Sequence, residues 1–245
     1  VESIINNLSK IQKMKTLIVG EGEVGKSLYN VLKEAHECHI RGVDPLEVSD
    51  IEVLNICFPY SEHFVDEVIK YQAEYTPKLT IIHSTVPVGT SRLLGAVHSP
   101  IHGKHPNLEG GIRTFVKYVG GDQAPEAYDY LVKAGIDAMI VDNAETSELS
   151  KIYCTTQYGL NIIVMKEIME KCKEYGANFD QAYRNWNEYY NNGYRQMGMG
   201  HFRRYVLEHM PGRIGGHCVI NNAKILKNES DVAKFLLEQD EKYAM

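Results

Sequence analysis

The residue types and spacings in this chain that could do chemistry fall into three groups. The first is Gly20-Glu21-Gly22-Glu23-Val24-Gly25, between a short apolar run and a helical pattern. In such a turn the first glycine permits the tight bend and the second lets the backbone approach a pyrophosphate. The third lets the following helix pack close to its strand. Free N–H groups at the start of that helix favour an anion. Asp44 comes 19 residues after Gly25, where a second strand should end and a carboxylate should meet ribose hydroxyls. A dinucleotide is therefore expected on Gly20, Gly22, Glu23, Val24, Gly25 and Asp44. A purely structural turn and an S-adenosylmethionine site, which uses a similar turn and acid, are the other readings. Asp44 points to NAD over NADP because a carboxylate disfavours a 2′-phosphate, whereas the nearby Arg41 points the other way.

The second group lies at the ends of apolar runs: Phe58-Pro59-Tyr60-Ser61, then Ser84-Thr85-Val86-Pro87-Val88-Gly89-Thr90, then His98-Ser99-Pro100. Ligands of open parallel sheets lie beyond the carboxyl ends of the strands. Pro59, Ser84 and Thr85 are thus candidate cofactor contacts, and the hydroxyls of Ser84, Thr85 and Thr90 could bond phosphate, ribose or a nicotinamide amide. Helix capping and turn formation use the same residues. His98, His102 and His105 crowd one loop, but their spacing matches no defined metal site, so no metal is expected and contact with substrate or solvent is. The third group is 211–218, rich in glycine and ending in His217-Cys218. A thiol beside a histidine and free backbone N–H groups could be an activated nucleophile, and it could equally be a buried structural cysteine. Lys151, alone on a long helical run, has solvation as its ordinary fate.

The elements that must position these groups follow from periodicity. Apolar runs at 16–19, 38–43, 52–58, 79–83, 94–98, 115–119 and 138–141 read as strands. Amphipathic patterns at 1–13, 26–35, 62–75 and 124–133 read as helices. The run 52–58 is nearly continuous in apolar residues, as suits a parallel strand covered on both faces. After Asp142 the strands stop, and helices are expected at 145–175, 179–192, 201–209, 221–226 and 230–243. This is an α/β pattern: a Rossmann-like, doubly wound parallel sheet over 1–142, then a helical domain over 143–245. The long helix has a wide apolar face, and a homodimer built on it is expected.

Composition sets the outer bounds. The chain has 245 residues, with 26 basic and 32 acidic side chains and a net charge of −6, which argues against a broad nucleic-acid-binding face. Its five cysteines are widely spaced without a Cys-x-x-Cys pair, which suits a reducing compartment. No stretch approaches the apolar length of a membrane span, and the start lacks a signal-peptide core. A cytoplasmic protein acting on a small molecule, with neither membrane nor nucleic acid as partner, is the expectation.

Taken together, these motifs resemble the nucleotide-sugar 6-dehydrogenases that act on UDP-glucose, GDP-mannose and UDP-N-acetylmannosamine. The glycine turn with Asp44 looks like their NAD site. Ser84-Thr85-Val86-Pro87-Val88-Gly89-Thr90 looks like their Ser-Thr-Val-Pro-x-Gly-Thr segment. Ser147-Glu148-x-x-Lys151 looks like the start of their central dimerisation helix, and Gly215-Gly216-His217-Cys218 like their catalytic cysteine loop. The resemblance implies an NAD-dependent oxidation of an alcohol through the aldehyde level to an acid. By that resemblance Cys218 is the nucleophile and Lys151 stabilises the developing oxyanion. It also implies a compact, divergent member without the family's C-terminal nucleotide-binding domain, since 27 residues follow Cys218. Three family positions differ: a glutamate is Ile101 here, an asparagine is Thr155 and an aspartate is Asn222. His102, whose ordinary pKa suits proton transfer, is a candidate replacement base. The expected function is an NAD-dependent oxidoreductase for an alcohol or aldehyde. A catalytically altered dinucleotide-binding protein and an S-adenosylmethionine-dependent methyltransferase on the same scaffold are the alternatives.

Overall fold

The computed structural model describes residues 13–215 and 218–244. The helix expected over 1–13 falls outside them except for its last residue, and so does His217. The first unit alternates strand and helix: β1 (Lys15–Val19), α1 (Glu23–Leu32), β2 (Glu37–Arg41), β3 (Val53–Ile56), α2 (Phe64–Tyr75) and β4 (Leu79–Ile82). A single turn, α3 (Thr90–Leu93), leads into β5 (Val97–His98). All five strands pair in parallel, in the order β2-β1-β3-β4-β5. The chain winds outward from β1 in both directions, so a crevice opens between the loops that leave β1 and β3.

Period-two alternation divides the strand residues between two cores. Ile18, Val53 and Ile81 face Leu28, Val31 and Leu32 of α1. Leu17, Val19, Leu54, Ile56 and Ile82 face Phe64, Val68 and Tyr75 of α2. The sheet is therefore covered on both faces, and every residue of β3 and β4 is buried. After β5 come α4 (Leu108–Thr114), β6 (Lys117–Val119), α5 (Ala124–Lys133) and β7 (Ala138–Ile140). β6 and β7 pair in parallel, and an antiparallel bridge between His98 and Gly120 ties them to β5.

Two differences from the sequence expectation have local causes. β5 is shorter than 94–98 because Leu94, Gly95 and Ala96 donate their N–H groups back to Thr90, Arg92 and Ser91, closing the turn before the strand begins. The helix α4 was not expected, because Gly110 and Gly111 weigh against one. Asn107 caps it by accepting from Gly110 N at 3.1 Å, and a side chain at Gly111 would stand 2.4 Å from His102 O. Glycine there lets α4 lie against the histidine loop.

The second unit begins at Ile152, about two turns into the long helix α6 (Ala144–Tyr175, 32 residues). A π-helical segment (Asp180–Asn185) runs into α7 (Trp186–Gln196). The helix expected over 201–209 is replaced by one 3-10 turn, Gly200–Phe202, and irregular chain. Side chains take the backbone groups a helix would need there. Asn191 bonds both Arg204 O (2.9 Å) and Arg204 N (2.7 Å), and the Tyr183 hydroxyl accepts from Leu207 N (3.1 Å). α8 (Cys218–Leu226) and α9 (Asp231–Glu241), the latter capped by Ser230, close the unit. Ile152, Ile163, Val219, Ala223, Leu226, Ala233 and Leu236 form its core. Gly159 of α6 lets Val219 and Leu236 approach to where its own side chain would be.

Candidate active site and cofactor cleft

A cleft of about 700 Å³ opens at the carboxyl ends of β1, β2 and β3. Gly20, Gly22, Glu23, Val24 and Pro59 line it, as do Arg41, Gly42 and Val43. The three glycines of the turn have different causes. A side chain on Gly20 would meet the Cys57 backbone at 2.8 Å, and one on Gly25 would meet Gly20 O at 1.8 Å. Gly22 has ordinary extended backbone, and nothing among the described residues lies within 4 Å of where its Cβ would be. Packing of the chain thus requires the first and third glycines, whereas the second presents bare backbone to the cleft. The N-terminus of α1 has no side-chain cap. Its orphan N–H groups are open to an anion.

Two charge pairs border the cleft. Glu23 leans from the first turn of α1 to His105, with Oε2 2.5 Å from Nδ1. Arg41, at the end of β2, is buried with Nη1 2.9 Å from Glu74 Oε1 and 2.5 Å from the Tyr75 hydroxyl, and its guanidinium packs 5.0 Å from the Tyr71 ring centre. Asp44 is exposed, one residue beyond Val43, and is not among the lining residues. Ser84 and Thr85 are not among them either. The Ser84 hydroxyl donates to Phe58 O (2.6 Å), joining the ends of β3 and β4, and Thr90 donates to Pro87 O (2.7 Å).

A second constellation gathers where α6 begins. Ser147, Glu148 and Lys151 share one face of its first two turns. Ser147 and Lys151 reach the end of β5 and the loop after it, and Glu148 reaches the turn after β4. Ser147 Oγ is 2.9 Å from His98 Nδ1. Glu148 accepts from Gly89 N (2.6 Å) and Ser91 N (2.9 Å). Lys151 Nζ donates to Ile101 O at 2.7 Å. Lys151 is half-buried rather than solvated, because that face is turned to the sheet. The neighbouring carbonyls of Ser99 and Pro100 accept from Lys117 Nζ, the latter at 3.0 Å. Two lysine Nζ atoms therefore hold three successive carbonyls.

Desolvation governs the titratable groups here. Burial pushes His98 down to about 3 and Lys117 to about 7. His102 is pushed down to about 4 by burial, then by the charges of Lys151 and Lys117. It is a neutral imidazole at neutral pH, and its Nδ1 is buried without a hydrogen-bond partner among the described residues. The three loop histidines part company: His98 bonds Ser147 and Ser84 O, His105 pairs with Glu23, and His102 faces neither. Lys117 and His83 are supporting residues that sequence reasoning missed. Their signal was polar side chains within or just beyond buried strands, readable only once the strand ends are known.

In the second unit Cys218 is the first residue of α8 and exposed. The chain before it is pinned at two points. Lys166 Nζ donates to Met210 O and Gly212 O, both at 2.6 Å. Asp240 accepts from Ile214 N (2.7 Å) and Arg213 Nε (3.1 Å). Asn222 and Thr155, two of the positions that differ from the resembling family, bond each other at 3.1 Å. The two side chains therefore form one local pair.

No protein-family model and no curated protein matches the chain. Solved structures do. A UDP-glucose dehydrogenase from Pyrobaculum islandicum superposes with a TM-score of 0.73 at 14% identity, over 95% of this chain and 69% of that one. UDP-D-ManNAc dehydrogenase from Pyrococcus horikoshii gives 0.71 at 17%, over 94% and 69%. A 3-hydroxyisobutyrate dehydrogenase from Mycobacterium tuberculosis gives 0.69 at 12%, over 95% and 94%. The chain thus has the fold of these dehydrogenases: a doubly wound parallel sheet followed by a helical region with a long helix. Among the described residues no helix is long and apolar enough to cross a membrane.

Proposed function

We propose that this protein is an NAD-dependent oxidoreductase acting on an alcohol or aldehyde group of a small substrate, with sugar-derived compounds the first class to test. The observation that carries the reading is Gly22, whose bare edge faces a large cleft at the uncapped N-terminus of α1. The residues there suit a dinucleotide. N–H groups of the first turn of α1 would hold the pyrophosphate, and the adenosine ribose would lie beyond β2, near Gly42 and Val43. Arg41 is already held by Glu74 and Tyr75, which supports NAD over NADP. Bound NAD supplies the hydride acceptor.

The chain's own residues supply the rest. Lys151, held by Ile101 O, presents positive charge to an oxygen that becomes negative. His102 is the candidate acceptor of the alcohol proton, but the burial and the two lysine charges that keep it neutral also make it a weaker base than a free imidazole. Cys218, the first residue of α8, would add its sulfur to an aldehyde carbon when oxidation proceeds to the acid, its proton passing to the aldehyde oxygen. The hydride would then pass to a second NAD, and water would cleave the thioester, freeing the thiol. The exposed apolar residues Leu149, Tyr153, Tyr158 and Val164 of α6 support a homodimer through that helix.

The Asn222–Thr155 pair favours a second reading, a dinucleotide-binding protein with altered chemistry, because a neutral amide stands where the resembling family has a carboxylate. Calorimetric titration with NAD and with S-adenosylmethionine tests the cofactor. NAD should bind the wild type, and Gly22→Ala should weaken it tenfold or more. Binding of S-adenosylmethionine alone overturns the oxidoreductase. Iodoacetamide modification against pH, with and without NAD, tests the thiol: an activated, cofactor-sensitive Cys218 is expected, and a rate that ignores cofactor removes the nucleophile.

A further inference from the structure

The cleft wall carries a carboxylate that the glycine motif does not require. Glu21 stands between Gly20 and Gly22, and its side chain lies across Gly42, just beyond β2. Its Oε2 is 3.2 Å, and its Cβ 3.6 Å, from where a Cβ on residue 42 would be. Gly42 has nothing else within 4 Å of that position among the described residues, so the Glu21 side chain is what a larger residue there would strike. Residue 21 follows β1 and residue 42 follows β2, and these strands are parallel neighbours. The carboxylate therefore spans the carboxyl ends of both and lines the cleft with Gly42 and Val43.

Nothing among the described residues hydrogen-bonds or ion-pairs with it. The cation on the same wall, Arg41, is turned instead to Glu74 and the Tyr75 hydroxyl, on the Tyr71 ring. An unpartnered carboxylate accepts hydrogen bonds from a pair of neighbouring hydroxyls and repels a phosphate placed where one of them would be. Its position beyond β2 is where this class of sheet meets the adenosine ribose. Asp44, the acid that the spacing picks out, is exposed and outside the lining.

We infer that Glu21 reads the adenosine ribose and is the main determinant of selectivity for a 2′-hydroxyl over a 2′-phosphate. The inference rests on the dinucleotide reading above. Two substitutions test it by calorimetric titration with NAD and NADP. Glu21→Gln keeps the size of an exposed side chain and removes its charge. Gly42→Ala keeps the charge and displaces the carboxylate. Each should narrow the NAD-to-NADP affinity ratio at least tenfold, with thermal melts showing both variants folded, while Asp44→Asn should move the ratio less. Wild-type protein that binds NAD, with a ratio that Glu21→Gln leaves within twofold or that Asp44→Asn moves further, overturns the inference and leaves the dinucleotide reading standing. Wild-type protein that binds neither dinucleotide overturns both.

Discussion

The two units bury polar groups to different ends. In the first, buried side chains form a connected path across the sheet. Tyr130 OH bonds Thr16, Asn55 donates to both hydroxyls, His83 meets Asn55 Oδ1 at 2.8 Å, and Lys117 lies 3.2 Å from His83. That path ends at the carbonyls of Ser99 and Pro100, next to the one that holds Lys151. In the second unit the core is aliphatic, and its buried ionic groups, Lys166 and Asp240, hold the stretch before Cys218. The second unit also leaves Tyr175, Tyr189, Trp186 and Met210 largely exposed. A buried polar group without a partner costs about 1–3 kcal/mol, so a long buried network persists only where its members satisfy each other. The difference teaches that strand-end geometry in the first unit is set by many mutually dependent bonds, whereas the thiol loop depends on a few separable ones.

The largest effect should come from breaking the first unit at its glycine turn. Gly25→Ala would place a methyl 1.8 Å from Gly20 O, inside any real contact distance. A loss above about 4 kcal/mol, or failure to fold, is expected in urea denaturation. Gly22→Ala, with open space around it, should leave the urea midpoint nearly unchanged while harming cofactor binding. Equal losses from both variants would mean that Gly22 is structural after all.

Next in size is removal of a single anchor from each unit. Glu148→Ala strands the N–H groups of Gly89 and Ser91 and should cost about 2–4 kcal/mol. Lys166→Met in the second unit releases the carbonyls of Met210 and Gly212, with an expected cost of about 1–3 kcal/mol. It should also change the iodoacetamide rate at Cys218, which Glu148→Ala should affect less. If the two variants alter that rate equally, the loops are not independently held.

The smallest effect is one of pH, and it should sharpen the contrast. His98 and His102 titrate at about 3 and 4 when folded, below the 6.5 of a free imidazole. The unfolded chain therefore binds more protons between those values and 6.5. Stability is full above 6.5 and falls as pH drops through that window. The slope is at most about 1.4 kcal/mol per pH unit for each fully buried histidine, and less for the half-exposed His102. Hydrogen exchange at pH 7 and pH 5 should show protection falling mainly in the first unit. A uniform fall across both units would remove the histidines as its cause.

Most of the strand and helix order was legible in the sequence, and the departures have physical reasons. Periodicity located β1, β3 and β4 because each is short, apolar and bounded by turns. It failed at 201–209, where Asn191 and Tyr183 take backbone groups that no local pattern assigns to them. It also missed α4, whose glycines argue against a helix in isolation and serve close packing in place. In the site, the glycine turn was readable as a spacing of three glycines before a helix, whereas the need for Gly20, the Cys57 backbone beyond β3, was not. Lys151 was readable as a motif but not as a half-buried group.

Sequence alone determined the alternation that makes a doubly wound sheet, the turn that opens its cleft and the long helix that follows. These depend on residues within one or two turns of one another. Tertiary structure alone decided which polar groups meet. Lys151 finds Ile101 O, Glu148 finds Gly89 and Ser91, Asn222 finds Thr155, and Glu21 covers Gly42. Such partners lie on different elements, and what joins them is the order of strands in the sheet and the packing of helices, which no local period encodes. A hydrogen bond needs its atoms within about 3 Å, a distance set here by the whole fold rather than by the spacing of residues along the chain.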